Sequence, residues 1–174
     1  FEGKGLHTGK VAKMTIKPAA ADTGIVFRRT DIGEDAKVPA LAEYVSSTAR
    51  STTISCGEAT VGTIEHVLSA LTGMGVDNAE IDIDNVEVPI LDGSAKPYID
   101  AIWKDGFQEQ DAPRRYVELK EAIEVRNDEK GSVVRIEPAD EFSYDIKVDF
   151  NSRVLGVQNA RWDDSVVYAE QIGV

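Results

Sequence analysis

The 174 residues carry 31 acidic against 19 basic side chains, for a formal charge of −12, with 42% apolar content and one cysteine. That size and apolar fraction suit one complete globular domain, or one and part of another, and there is no low-complexity tract. The acidic balance excludes nucleic acid as a main partner, which needs a basic footprint, and a lone Cys56 excludes an internal disulfide and points to a reducing compartment.

The chain opens on Phe1, not Met, so a trimmed or processed start is expected. Ala12, Met14 and Ile16 alternate with Lys13, Thr15 and Lys17, which predicts a half-buried strand closed by Pro18. Residues 24–29 read as a second strand, and the Ser/Thr-rich stretch 50–55 as a third. Ile64, Val67, Leu68 and Leu71 then recur at i, i+3, i+4 and i+7, one buried helical stripe. Thr63 suits its N-cap, and Gly73 and Gly75 suit its end. Ala79, Ile81 and Ile83 alternate with Glu80, Asp82 and Asp84, whose carboxylates are most simply a solvated sheet face. Ser94 is placed to cap a second helix carrying Tyr98, Ile99, Ile102 and Trp103, with Gly106 as its stop. Helices separated by strands in this way predict an α+β layer, not a doubly wound sheet.

After residue 105 the periodicity fades. Residues 1–108 are expected to form a first α+β domain, 109–115 a linker, and 116–174 the start of a second, truncated domain. Its strand candidates are 116–126, 132–137 and 143–150, the first two joined as a hairpin through the turn 127–131. Asp163 or Asp164 is expected to cap a short helix ending near Ile172.

Chemistry concentrates at Thr63-Ile64-Glu65-His66, which holds one of only two histidines. Glu65 falls in the first helical turn, where the helix dipole favours negative charge. His66 lies off the apolar stripe, so packing does not explain its ring. A surface histidine is the ordinary reading of such a position. An imidazole beside a carboxylate on a rigid element is also the raw material of a metal site with its own general base. Zinc-peptidase signatures are absent: His-Glu-x-x-His would need histidine at Ala70, and the inverted form would need it at Gly62.

Four runs in order carry a family likeness: Gly3-Lys4-Gly5-Leu6-His7-Thr8-Gly9, residues 23–31, Thr63-Ile64-Glu65-His66, and Ile90-Leu91-Asp92-Gly93-Ser94-Ala95. With them the sequence resembles the zinc-dependent UDP-3-O-acyl-N-acetylglucosamine deacetylases of bacterial lipid A biosynthesis. A looser likeness continues to the end and includes Asp149-Phe150-Asn151. The resemblance implies a two-domain layered β/α sandwich with its active site between the domains. It implies Zn2+ with His66 as one of three ligands, and Glu65 as general base. The family's remaining ligands, in a His-Lys-x-x-Asp motif, and its general-acid histidine are expected beyond Val174. The 174-residue chain alone is accordingly expected to be inactive.

The resemblance further implies substrate contacts at His7, at Phe150 (stacking on uracil) and at Lys130 in the hairpin turn. From the residues alone, His7 reads as a turn histidine and Phe150 as a core continuation of Tyr144, Ile146 and Val148. Asp92 reads as a turn residue, and Arg28 and Arg29 as ion-pair partners of Asp31 or Asp22. The expected protein is a monomeric cytoplasmic hydrolase acting on a UDP-linked acylated glucosamine, with no transmembrane run of about 18 apolar residues. Two rivals stand beside it: a non-catalytic nucleotide-sugar binding module, and an interaction domain using the acidic strand 80–84 as an exposed sheet edge.

Overall fold

Residues 1–129, 131–141, 143–163 and 165–173 are described by the computed structural model. The protein is α+β, mostly sheet with few helices, and it divides into two units. The first comprises Phe1–Ala112 with Tyr168–Val174, and the second Pro113–Val167.

Alternation in the first unit is realised as β1 (Glu2–Lys4), β2 (Val11–Pro18), β3 (Ile25–Arg29) and β4 (Lys37–Pro39), followed by a second set of strands. That set is β5 (Val45–Ser47), β6 (Thr53–Cys56) and β7 (Ala59–Val61). Helix α1 (Glu65–Gly73), strand β8 (Ala79–Ile83) and helix α2 (Lys96–Asp105) complete the run. A five-stranded sheet has the order β1-β2-β8-β3-β4, and β5-β6-β7 make a smaller sheet. β8 pairs antiparallel with β2 and parallel with β3. Strands β1, β4, β5 and β7 carry too few residues for a period-2 pattern, and sequence periodicity did not anticipate them.

One face of the larger sheet buries Ala12, Met14, Phe27, Val38, Ile81 and Ile83 against Val67 and Leu71 of α1 and Tyr98 and Ile99 of α2. Burying such side chains is worth roughly 1.5–3 kcal/mol each, which makes this the main stabilising layer. Trp103, whose spacing groups it with the apolar set of this helix, leaves that layer and is 68% exposed. The second helix ends at Gly106 as its sequence predicts, with φ of 81° and its amide donating to Ile102 O at 2.9 Å. Its start differs, because Ala95 occupies the N-cap position while Ser94 Oγ accepts the Lys96 amide at 3.2 Å in the turn before.

The opposite face carries the acidic residues of β8, and their arrangement corrects the edge-strand rival. β8 is the central strand, so it has no free edge to offer a partner. Its carboxylates are also engaged: Arg28 holds Asp82 through two bonds of 2.7 and 2.6 Å, and Lys17 and Lys37 each reach Glu80 at 2.8 Å. These partly exposed pairs contribute little individually, about 0–1 kcal/mol, but they neutralise the face.

In the second unit, β9 (Ile123–Asn127) pairs antiparallel with β10 (Ser132–Ile136), and β11 (Tyr144–Asp149) with β12 (Val157–Trp162). The expected first hairpin forms, but residues 116–122 are not strand, so the predicted element is shorter at its start. Register places Ile123 opposite Ile136 and Val125 opposite Val134 on one face, and Tyr144 stacks on Trp162 with ring centroids 5.7 Å apart. The predicted C-terminal helix forms as α3 (Tyr168–Gln171) and packs within the first unit. The Tyr168 hydroxyl hydrogen-bonds the Ser69 hydroxyl on α1, and its ring occupies the space where a side chain on Gly73 would go. Asp163 accepts from the Ser165 amide at 3.0 Å and so shapes the turn before α3 instead of capping it, while Asp164 lies outside the described residues.

Candidate active site at the start of helix α1

Glu65 opens α1, and the chain around residue 52 clasps it there. Its Oε2 accepts the Thr52 amide at 3.0 Å, and the Ile64 amide donates to Thr52 O at 3.4 Å. The stripe is buried as its spacing predicts, with Ile64, Val67 and Leu71 in the core and Leu68 half-buried at its margin. The cap is different. Ile64 occupies the N-cap position with helical dihedrals and no side-chain cap, whereas Thr63 sits in the left-handed region with φ of 58°. For a β-branched residue that conformation costs on the order of 1–3 kcal/mol and persists only when its surroundings hold it. The Thr63 hydroxyl donates at 2.8 Å to Oε1 of Glu87, a buried carboxylate.

Glu87 was not singled out by its sequence context, yet it organises this corner. It is 4% exposed, and it accepts the His7 amide at 2.9 Å on Oε1 and the Thr8 amide at 2.8 Å on Oε2. Its backbone is zipped to Gly62 by a parallel bridge, with Gly62 N donating to Val86 O and Val88 N to Gly62 O. Burial pushes its carboxyl up, but the His7 and Thr8 amides and the Thr8 and Thr63 hydroxyls outweigh that and hold it at about 2. A signal was present: one charge inside the apolar run Val86 to Ile90 must find partners if the run is buried.

His7 lies in the exposed turn after β1, closed by Gly9 N donating to Gly5 O at 3.0 Å. A side chain at Gly5 would collide with the Glu87 carboxylate, so this turn requires glycine there. The structure therefore joins the His7 turn to the residue preceding Ile64-Glu65-His66 through one shared carboxylate oxygen.

The His66 side chain is half-buried and has no hydrogen-bond partner among the described residues. Nor do any three His, Cys, Asp or Glu side chains cluster there in a metal-holding arrangement, among the described residues. One imidazole beside one carboxylate is not a zinc site, which takes three protein ligands. Among the described residues His66 would be one ligand of such a site and does not complete it.

The remaining sequence candidates fall elsewhere. Phe150 follows β11 in the second unit and is 48% exposed, so it does not fill a core position there. Lys130 lies outside the described residues. Arg29 pairs with Asp31 through bonds of 2.8 and 2.7 Å, as its spacing suggested, and Arg28 pairs with Asp82 instead. Asp92 accepts the Ser94 amide and hydroxyl at 3.0 and 2.9 Å, a turn role. Among the described residues no helix is long and apolar enough to cross a membrane.

Fold and site together define an α+β protein that presents a carboxylate–imidazole pair at a braced helix start. Residues 1–173 match the family described as LpxC: UDP-3-O-acyl N-acetylglycosamine deacetylase, and the chain belongs to that family. It is 42% identical over 165 residues to the UDP-3-O-acyl-N-acetylglucosamine deacetylase of Thioalkalivibrio sulfidiphilus, covering 94% of this chain and 54% of the relative. The enzyme of that name from an Anaeromyxobacter species is 43% identical over 159 residues, covering 91% and 51% respectively. A bifunctional enzyme LpxC/FabZ of Porphyromonas gingivalis is 42% identical over 172 residues, covering 99% of this chain and 37% of the relative. The chain spans about half the length of the curated deacetylases it matches.

Proposed function

We propose that this chain is part of a zinc-dependent amidohydrolase that removes the N-acetyl group from UDP-3-O-(3-hydroxyacyl)-N-acetylglucosamine in lipid A biosynthesis, releasing acetate. The observation that carries the reading is the placement of Glu65 and His66 as the first two residues of α1, off its buried stripe. Their side chains diverge by about 100° on a helix, so a carboxylate and an imidazole can face one reaction centre from two directions. His66 supplies one zinc ligand, and residues outside this chain supply the other two. The metal contributes Lewis acidity toward the amide carbonyl when bound. Glu65 takes a proton from the attacking water, and the Thr52 amide fixes the carboxylate on which that proton lands. The enzyme works as a cytoplasmic monomer.

The test is acetate release by the complete protein from the UDP-linked substrate, before and after chelation. Activity is expected to vanish on metal removal and to return with stoichiometric zinc. Tight substrate binding without any metal-dependent turnover would make the protein a nucleotide-sugar binding module. On this reading the 174-residue chain alone holds zinc weakly and does not turn over. Submicromolar zinc binding at His66 by titration calorimetry, together with turnover by the isolated chain, would overturn that expectation.

Phe150 supplies a further test. Its exposed ring can present a face to uracil, and base–aromatic stacking is worth roughly 1–3 kcal/mol in single-stranded nucleic-acid complexes. Phe150→Ala in the complete enzyme is expected to raise KM by about 5- to 100-fold with little change in thermal midpoint. A large drop in midpoint at unchanged KM would assign the ring to packing.

A further inference from the structure

Glu87 is one of the few charged side chains buried in the first unit, and its four neighbours are apolar or proline: Val86, Val88, Pro89 and Ile90. Hydrophobic burial cannot account for it, since an isolated carboxylate in such a place is costly. Its geometry does. One oxygen takes both the His7 amide and the Thr63 hydroxyl, the other takes the Thr8 amide, and the Gly62 bridge holds the backbone behind it. Thr63 is the residue whose left-handed backbone turns the chain into Ile64, Glu65 and His66. Gly5 of the His7 turn is kept clear to admit the carboxylate.

We propose that Glu87 is a positioning residue: it locks the His7 turn and the left-handed Thr63 to each other and so sets where Glu65 and His66 stand. The inference rests on the deacetylase reading above, and it adds a residue that touches neither substrate nor metal. A neutral amide cannot do the same work. Glu87→Gln keeps the shape but gives at least one of the three donors an NH2 group to face, so the His7 turn, Thr63 or both must move. A misplacement of about 1 Å at a catalytic pair can cost on the order of 10²-fold in rate.

The experiment compares the complete zinc-loaded enzyme with Glu87→Gln, Thr63→Val and Thr63→Ser, measuring kcat, KM, zinc content and thermal midpoint for each. Glu87→Gln and Thr63→Val are expected to lower kcat by roughly 10- to 100-fold with KM and zinc stoichiometry nearly unchanged. Thr63→Ser keeps the hydroxyl and is expected to restore most of the rate, and the double variant Glu87→Gln/Thr63→Val to lose little more than either single one. Lowered midpoints with wild-type kcat per folded molecule would overturn the proposal, leaving Glu87 a stability residue only. If Glu87→Gln does not fold, the Thr63→Val and Thr63→Ser pair decides, and equal rates for the two would overturn it. A wild-type protein with no deacetylase activity would remove the functional reading and this proposal with it, whereas an active wild type with an active Glu87→Gln removes this proposal alone.

Discussion

Glu65→Ala in the complete enzyme is expected to lower kcat by about 10²-fold or more while zinc content stays at the wild-type level. The carboxylate is half-buried and clasped by the Thr52 amide, so its loss has two consequences that must be separated. One is chemical, because the group assigned to take the proton from water is gone. The other is local, because the Thr52 amide loses its acceptor. Glu65→Gln separates them: its carbonyl oxygen can still accept that amide, but the group is no longer basic at neutral pH. Equal loss of kcat in both variants assigns the effect to proton transfer. His66→Ala is expected to lower zinc content and rate together, a signature that neither Glu65 variant shares. Near-normal kcat in Glu65→Gln would mean that another group activates the water, and the assignment would fall.

The chain is expected to lose up to about 3 kcal/mol of folding stability from Glu87 alone as pH falls from 5 to 2. Burial opposes ionisation of this carboxyl, but the amides of His7 and Thr8 and the two threonine hydroxyls bring it from the ordinary 4.5 down to about 2. Above pH 4.5 the group is ionised in folded and unfolded chains alike, and its full contribution is present. Between 4.5 and about 2 the unfolded chain takes up the proton and the folded one does not, so each step down in pH favours unfolding. Below about 2 nothing remains to lose. Asp31, Glu80 and Asp82 add to the same trend, since their carboxyls are lowered by Arg29, by Lys17 and Lys37, and by Arg28 respectively. Glu87→Gln is expected to be less stable at pH 7 and to show a shallower dependence below pH 5. Denaturant unfolding of both forms across that range checks this, and parallel curves would show that Glu87 is not the group responsible.

What the sequence determined by itself is the part governed by local period and local chemistry. The stripe of Ile64, Val67 and Leu71, the alternation of Ala79, Ile81 and Ile83, and the Gly106 stop all appear in the structure where spacing placed them. The family was legible for the same reason: four short runs in order survive without knowledge of any contact, and residues 1–173 match it. The Glu65-His66 pair could be named because both residues are adjacent in sequence and share one helix. What only the tertiary structure decided depends on residues far apart in the chain. The acidic strand could be taken for a free edge until the parallel pairing with β3 and antiparallel pairing with β2 made it central. Thr63 looked like a helix cap until a carboxylate 24 positions later claimed its hydroxyl. His7 and Thr63 meet on that same carboxylate, and α3 returns to the first unit through Tyr168 and Ser69, 99 positions apart. No window of sequence contains such pairs. Whether a hydroxyl is used locally as a cap or donates to a distant buried charge depends on which groups folding desolvates, and that is settled only when the sheets and helices close over Glu87.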